Sequence, residues 1–100
     1  MAALIWNEEA LADLEGIYDF IARDSPLYAQ FQVEKIFKSA ERLTIFPASG
    51  RSIPEFPSLP HREIIVDSYR VIYRYLSTRD EIKIVTVVHG RRLMKEDSLI

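Results

Sequence analysis

Residues 62–89 read REIIVDSYRVIYRYLSTRDEIKIVTVVH, and this stretch has the strongest strand pattern in the chain. It contains three segments rich in β-branched and aromatic residues, which favour strands: 62–66, 69–76 and 82–89. The breaks between them, Asp67-Ser68 and 77–81, consist of residues typical of turns. The stretch therefore predicts three consecutive antiparallel strands that form a β-meander.

Two amphipathic helices are predicted upstream of the meander. Asn7, followed by two glutamates, is typical of a helix start, and apolar residues then recur every three or four positions over 8–22. Ser25-Pro26 is a second start signal, because a capping hydroxyl precedes a proline at the first helical position. The second apolar stripe continues to about Phe46, where Pro47 stops the helix. The tight connection predicts an antiparallel αα-hairpin.

Two further segments complete the chain. The apolar run 3–6 fits a short opening strand, whereas 47–60 contains four prolines, one glycine and three serines and predicts an ordered loop. The chain has 100 residues, of which 48% are hydrophobic, enough for one core. We therefore expect a single domain over residues 1–100 of the α+β class. In it, a short N-terminal strand and the αα-hairpin pack on a mainly antiparallel sheet that ends in the meander.

The composition disfavours several classes of protein. The chain has no cysteine, so disulfides and thiolate metal sites are excluded, and the cytoplasm is the expected location. The first residues lack the basic and long apolar regions of a signal peptide or membrane span. The only histidines, His61 and His89, do not have the spacing of metal ligands. No phosphate-binding or dinucleotide-binding motif is present, so we expect no metal or cofactor and no small-molecule enzyme.

Charge is distributed unevenly along the chain. Residues 1–50 contain four Lys/Arg and eight Asp/Glu, whereas residues 51–100 contain nine and seven. This pattern predicts an acidic helical layer and a basic sheet layer, although chance alone produces such an imbalance in a small protein.

Six arginines of the second half, together with one histidine, fall on the predicted sheet or its loops: Arg51, Arg62, Arg70, Arg74, His89, Arg91 and Arg92. Neighbouring strands bring such side chains together on one face. Guanidinium groups bind phosphates and carboxylates in a bidentate way, so the set predicts a surface for a macromolecular partner. The alternative is that individual arginines form ordinary solvated ion pairs with Glu55, Glu63 or Asp67.

His89 and the tyrosines each allow two interpretations. An imidazole beside cations at a strand end can act as a proton acceptor, but His89 can also simply satisfy backbone groups there. Tyr69, Tyr73 and Tyr75 could stack on nucleic-acid bases. Tyr73 and Tyr75 alternate in step with Val71, however, which favours a place in the core against the helices.

Several motifs together resemble the RelE/ParE superfamily of bacterial toxins, and its ParE branch most of all. The matching segments are Ala12-Asp13-Leu14, 17–22, Ser25-Pro26, 46–51, Pro54-Glu55, Arg62-Glu63, 68–74 and 87–92. These segments occur in the family's order and spacing and span nearly the whole chain, so they are specific for the superfamily. They are less specific for the ParE branch.

The resemblance implies a function and partners. Members of the superfamily are toxins of type II toxin–antitoxin modules, held inactive by a cognate antitoxin that wraps the toxin in a hetero-oligomer. RelE-like members cut mRNA in the ribosome, whereas ParE-like members share the fold and poison DNA gyrase. The chain is slightly acidic overall and has only four lysines, which fits poorly with docking on ribosomal phosphates and favours the ParE reading.

The two readings assign different roles to the basic residues. A ribonuclease would use Arg62, Arg70 and His89 to activate the 2′-hydroxyl and to stabilise the phosphate transition state. A gyrase inhibitor needs no catalytic set. Its partner-binding candidates are Arg51, Arg74, Arg91 and Arg92, with the tail 93–100. A third possibility is a non-toxic member that only binds antitoxin.

Overall fold

The computed structural model describes residues 1–99. Its elements are β1 (Ala3–Trp6), α1 (Glu8–Ala22), α2 (Pro26–Arg42), β2 (Arg51–Ser52), β3 (Arg62–Val66), β4 (Tyr69–Leu76), β5 (Glu81–His89) and a C-terminal 3₁₀ helix (Glu96–Leu99). Within these residues no helix combines the length and the apolar character that a bilayer crossing requires.

The five strands form one mixed sheet in the order β1-β5-β4-β3-β2. β3, β4 and β5 form the predicted antiparallel meander, and β1 lies parallel to β5 at the edge. The α+β class and the three strands are therefore confirmed. β2 falls inside the segment predicted as a loop. The sequence does not predict this strand, because two residues are too few to show an alternating pattern.

The helices form the predicted hairpin, but α2 ends earlier than expected. α1 has the predicted bounds, and the Ser25 hydroxyl caps α2 by accepting a hydrogen bond from the Tyr28 N–H. The predicted end of α2 near Phe46 is wrong, since the helix stops at Arg42. The Thr44 hydroxyl donates a hydrogen bond to the Glu41 carbonyl. The Thr44 carbonyl accepts a hydrogen bond from the N–H of Ala2, so the chain turns away from the helix axis after Arg42.

The sheet buries apolar residues on both faces. One core lies between the helices and the sheet and contains Leu14, Ile36 and Tyr73. The second, on the far face, is closed by the 53–59 loop and by Met94 and Leu99 of the C-terminal segment. Because both faces are covered, residues 70–73 of β4 and most of β5 are buried.

The two tyrosines predicted as core residues have different environments. Tyr73 is fully buried in the helix-side core, as predicted. Tyr75 is 37% exposed and donates a hydrogen bond to Asp80 of the following turn, so its prediction is wrong. Its position near the end of β4 leaves it only partly covered.

Gly50 is required by the packing of Tyr73. The Tyr73 hydroxyl accepts a hydrogen bond from the Gly50 N–H at 2.9 Å and donates one to the Pro47 carbonyl at 2.7 Å. A Cβ at residue 50 would lie 2.6 Å from this hydroxyl and 2.8 Å from the Glu63 carbonyl oxygen. The ring and the backbone of a central hairpin leave no room for that atom.

We therefore expect Gly50→Ala to lower the free energy of unfolding by about 2–3 kcal/mol, because overpacking a tight site forces the backbone to shift. The matched control is Gly16→Ala in α1, where an added Cβ has no neighbour within 4 Å. That change should raise the free energy of unfolding by up to about 1 kcal/mol through helix propensity. Urea denaturation measures both, and equal effects would contradict the packing argument.

Candidate functional site

Arg70 lies at the centre of a buried ion-pair network on the sheet face opposite the helices. Its Nε donates to Glu63 at 2.8 Å, and its two terminal nitrogens each donate to one oxygen of Glu55 at 2.7 Å. A further bond of 2.9 Å joins Nη1 to the Arg92 carbonyl. Arg70 is 5% exposed and Glu63 is 1% exposed. The guanidinium group is therefore fully engaged in the fold.

Arg51 and Met94 extend this network to the surface. Arg51 donates through Nε to the second oxygen of Glu63 at 2.8 Å, and its Nη2 forms an ion pair with the same oxygen at 2.7 Å, while most of its side chain stays exposed. The Met94 N–H donates to Glu55 at 2.8 Å. The network therefore ties β2 and the C-terminal segment to the sheet.

The hairpin register explains why these charges meet. Arg70 lies directly opposite Ile65, and Glu63 is two residues before Ile65, so Glu63 and Arg70 share a face. β2 then places Arg51 directly opposite Glu63. A carboxylate buried on an apolar face needs paired cations, and the two arginines supply them.

The network shifts the ionisation of its members. The double hydrogen bond from Arg70 lowers the pKa of Glu55 to about 2 from 4.5, more than burial raises it, and the N–H of Met94 contributes in the same direction. The bond to Glu55 is also the main cause that raises the pKa of Arg70. Both groups are therefore charged throughout the physiological pH range.

This pKa shift predicts how stability depends on pH. The folded-state pKa of Glu55 is depressed, so its contribution is fully present above pH 4.5 and is lost as the pH falls towards 2. We expect Glu55→Gln to be less stable than the wild type by about 1–2 kcal/mol at pH 7, allowing for solvent screening, with the gap closing below pH 4.5.

Urea denaturation at a series of pH values measures this gap. The exposed Glu96 provides the control, because Glu96→Gln should stay within about 0.5 kcal/mol of the wild type at each pH. A gap for Glu55→Gln that did not change with pH would contradict the assigned ion pair.

A surface groove of about 350 Å³ lies over the network, and we call it the arginine groove. Its lining includes Arg51, Arg70, Arg92, Ile65 and Leu93. Ile65 and Leu93 are large apolar residues that remain exposed, beside the exposed part of Arg51. The groove therefore offers apolar area and a cationic rim, a combination typical of a protein-binding surface.

The structure does not bring Arg62, Arg70 and His89 together. Arg62 lies opposite Tyr73 on the helix-facing side and donates to the Gly50 carbonyl at 2.7 Å, whereas Arg70 points to the other face. His89 lies opposite Tyr69. The four residue steps from Tyr69 to Tyr73 correspond to about 13 Å along the strand, so Arg62 and His89 are far apart.

His89 makes local contacts at the end of β5. Its Nδ1 accepts a hydrogen bond from the Arg91 N–H at 3.2 Å, and its ring packs edge-on against Tyr69 with centroids 5.8 Å apart. Within residues 1–99 no carboxylate forms an ion pair with this imidazole. The contacts match the interpretation of a histidine that satisfies backbone groups.

The remaining basic candidates differ in accessibility. Arg91 and Arg92 follow β5 and are exposed. Arg74 is partly buried near His61. Burial is the main cause that lowers the pKa of His61, and the positive charge of Arg74 lowers it further. Asp67 pairs with Lys35 at 2.8 Å and not with an arginine. Only some members of the predicted set are therefore free to meet a partner.

From the sequence, Glu55 and Glu63 are only possible ion-pair partners, and the Met94 N–H has no predicted role. A signal was present for Glu63, since it precedes Ile65 by two residues and therefore shares a strand face with an apolar residue; the structure buries Glu63 opposite Ile72 on that face. The contact with Met94 had no signal, because it joins residues far apart in the chain through an irregular segment.

The arrangement of helices, sheet and arginine groove can be compared with known proteins. The model of the family described as the ParE toxin of type II toxin–antitoxin systems, parDE, matches residues 4–94. The chain belongs to the ParE toxin family. A curated relative, Toxin RelE2 of Caulobacter vibrioides, is 36% identical over 93 residues, which cover 93% of this chain and 100% of the relative. The predicted membership of the RelE/ParE superfamily is thus confirmed.

Solved structures share the fold of this ParE-family chain at low sequence identity. A chain of the chromosomal ParDE system from P. aeruginosa has a TM-score of 0.74 and 23% identity, covering 89% of this chain and 96% of that one. A chain of the RelBE2 toxin–antitoxin complex of Mycobacterium tuberculosis has a TM-score of 0.66 and 17% identity, covering 88% and 96%. The isolated E. coli RelE toxin has a TM-score of 0.63 and 14% identity, covering 93% and 88%.

Proposed function

We propose that this ParE-family chain acts in the cytoplasm as the toxin of a type II module, that a cognate antitoxin neutralises it, and that it inhibits DNA gyrase by binding. One observation supports a binding mode over catalysis. The exposed Arg51 and Arg92 line the arginine groove, while Arg62, Arg70 and His89 do not converge and each is engaged in hydrogen bonds of the fold.

Arg91 and Arg92 are the leading contact candidates for the target. They are exposed directly after β5, and Arg70 holds the backbone of this turn through the Arg92 carbonyl. Arg51 and Leu93 extend the same surface. The tail 93–100 is also a contact candidate, and its last residue, 100, lies outside the described residues.

The antitoxin part of the proposal is supported by the family and by relatives solved as toxin–antitoxin complexes. The exposed apolar side chains on both faces of this chain also fit a partner that wraps it in a hetero-oligomer. Arg51 and Arg74, on the far face, are further candidates for antitoxin contacts.

The ribonuclease assignment of Arg62, Arg70 and His89 stays a prediction. Their separation does not favour it, because proton transfer and phosphate stabilisation act on one reacting group and need convergent side chains. A member that binds antitoxin without being toxic also stays a prediction.

The proposal is tested by inducing the chain in bacteria with and without the protein from the adjacent reading frame, where an antitoxin gene usually lies. We expect induction alone to stop growth, co-expression to restore it, and the two proteins to purify as one complex. If the complex forms but induction does not stop growth, the chain is a non-toxic member that only binds antitoxin. Failure of both would overturn the proposal.

A further inference from the structure

His61 is a buried titratable side chain that the binding proposal does not use. It lies one residue before β3 and is 7% exposed. Because Arg62 pairs with Tyr73, His61 lies opposite Arg74 across the hairpin. Within residues 1–99 neither ring nitrogen has a hydrogen-bond partner, and the buried Nε of Arg74 has none either. Three such nitrogens side by side are unusual, because buried polar atoms in native proteins almost always have partners.

The C-terminal segment covers this histidine. Leu99, at the end of the 3₁₀ helix, is 3% exposed and packs in the second core. Its backbone lies close enough to the imidazole to act on the pKa of His61, without forming a regular hydrogen bond. Among the described residues, the hydrogen bonds that tie this segment to the sheet end at Met94, which donates to Glu55. Residues 95–99 are therefore held mainly by the apolar packing of Leu99.

No counter-ion is available to a protonated imidazole at this position. The charged side chains on the elements around it are Arg51 of β2, Glu55 of the 53–59 loop, Arg62 and Glu63 of β3, Arg74 of β4, Lys83 of β5, and Lys95, Glu96 and Asp97 of the C-terminal segment. Glu55 and Glu63 are bonded to Arg70, and the other two carboxylates are exposed. In the described part of the chain no carboxylate forms an ion pair with His61. A charged imidazole would lie beside Arg74 without compensation.

The closed position of the segment favours the neutral imidazole. Burial is the largest cause that lowers the pKa of His61 from its usual 6.5, and the charge of Arg74 lowers it further, while the Leu99 backbone opposes both without reversing the shift. When the segment opens, water reaches the ring and its pKa returns towards 6.5. The open state therefore binds a proton more tightly than the closed state. Closure is fully stable above pH 6.5 and weakens as the pH falls below this value.

We propose that His61 and the C-terminal segment form a proton-sensitive switch, in which neutral His61 lets residues 95–99 close over the far face of the sheet and protonated His61 releases them. The segment yields and the strands do not, because β3 and β4 are held by a ladder of backbone hydrogen bonds. Opening uncovers Val85 and Val88 of the second core, so the apolar area on this face depends on pH. The switch does not depend on gyrase as the target.

Hydrogen exchange at the Ser98 amide measures the opening, because this amide donates to the Lys95 carbonyl inside the 3₁₀ helix. NMR of the full chain gives its protection factor, which is corrected for the ordinary pH dependence of exchange. The shift of one proton equilibrium changes the ratio of open to closed molecules by at most about tenfold per pH unit. We expect the protection factor to fall by about three- to tenfold from pH 7.5 to 5.5. A change of less than about twofold would overturn the proposal.

The same samples provide two internal checks. The His61 ring signals should titrate below pH 6.5, and the amide of Val71, in the middle of β4, should keep its protection over the same pH range. Equal loss of protection at Val71 and Ser98 would indicate unfolding of the whole domain, and this result would also contradict a local switch.

His61→Phe keeps an apolar ring at this position but cannot bind a proton. We expect its Ser98 protection factor to be the same at pH 7.5 and 5.5. His89→Gln is the matched control, since it removes the other histidine, which is exposed, and should keep the wild-type response. An undiminished response in His61→Phe would contradict the role of His61.

Arg74→Met is an independent test that retains His61 and decides the matter if His61→Phe does not fold. Methionine keeps an apolar stem but removes the positive charge that lowers the pKa of His61. The ring should therefore titrate at higher pH than in the wild type, and Ser98 should lose less protection between pH 7.5 and 5.5. A wild-type ring titration together with a wild-type response of Ser98 would overturn the proposed pairing of His61 with Arg74 in the switch.

Discussion

Replacing Arg70 by methionine is expected to lower the free energy of unfolding by about 3–5 kcal/mol. The variant keeps much of the apolar stem but leaves the buried Glu63 with one exposed partner, Arg51, and removes both hydrogen bonds to Glu55. An uncompensated buried carboxylate costs far more than a surface ion pair contributes. Since small domains are stable by about 5–15 kcal/mol, the loss is a large part of the total.

Two controls separate burial from charge. Arg79→Met removes an exposed arginine in the turn after β4 and should change the free energy of unfolding by no more than about 0.5 kcal/mol. Arg51→Met removes the outer partner of Glu63 and should lower the free energy of unfolding by about 1 kcal/mol, between the effects of Arg79→Met and Arg70→Met. Equal, small effects for all three arginines, measured by urea denaturation, would show that Arg70 does not hold a buried charge.

The second large effect concerns binding to the target. Reversing the charge of both exposed arginines, as Arg91→Glu with Arg92→Glu, is expected to weaken binding to purified DNA gyrase by about 100-fold or more. Arginines at the centre of an interface often contribute about 2 kcal/mol or more each, and 1.4 kcal/mol corresponds to a factor of ten. Growth arrest on induction should disappear with the binding.

His89→Gln is the matched variant on the neighbouring residue. Glutamine retains hydrogen-bonding groups but cannot act as a proton acceptor near neutral pH, so growth arrest should persist if the chain acts by binding. Loss of growth arrest in His89→Gln, with the Arg91/Arg92 variant still toxic, would instead favour the ribonuclease assignment. Thermal melting of each variant checks that it remains folded.

The meander and the helical hairpin were predictable because each has a strong local signal. The segments around Asp67-Ser68 show strand composition interrupted by a turn, and Ser25-Pro26 marks the start of α2 by a local hydrogen bond. The end of α2 was not predictable, because it depends on a bond between Thr44 and Ala2 across the fold. β2 is too short to have a sequence pattern of its own.

The arginine site was only partly predictable for a related reason. Composition indicates many cations on the sheet, but their partners depend on register and on which face is buried. Arg62 and Arg70 are close in sequence to the same hairpin turn, yet they point to opposite faces. Arg51 and Arg70 share the carboxylate of Glu63, and this pairing becomes evident only when β2 is placed beside β3.

We propose that this ParE-family chain acts by binding DNA gyrase and not by cutting mRNA. The most direct measurement is a short induction of the chain without antitoxin, with incorporation of labelled thymidine and labelled amino acids followed in the same culture. We predict that DNA synthesis falls first while translation continues. Translation that falls first, with DNA synthesis intact, would contradict this account and assign Arg62, Arg70 and His89 a catalytic role.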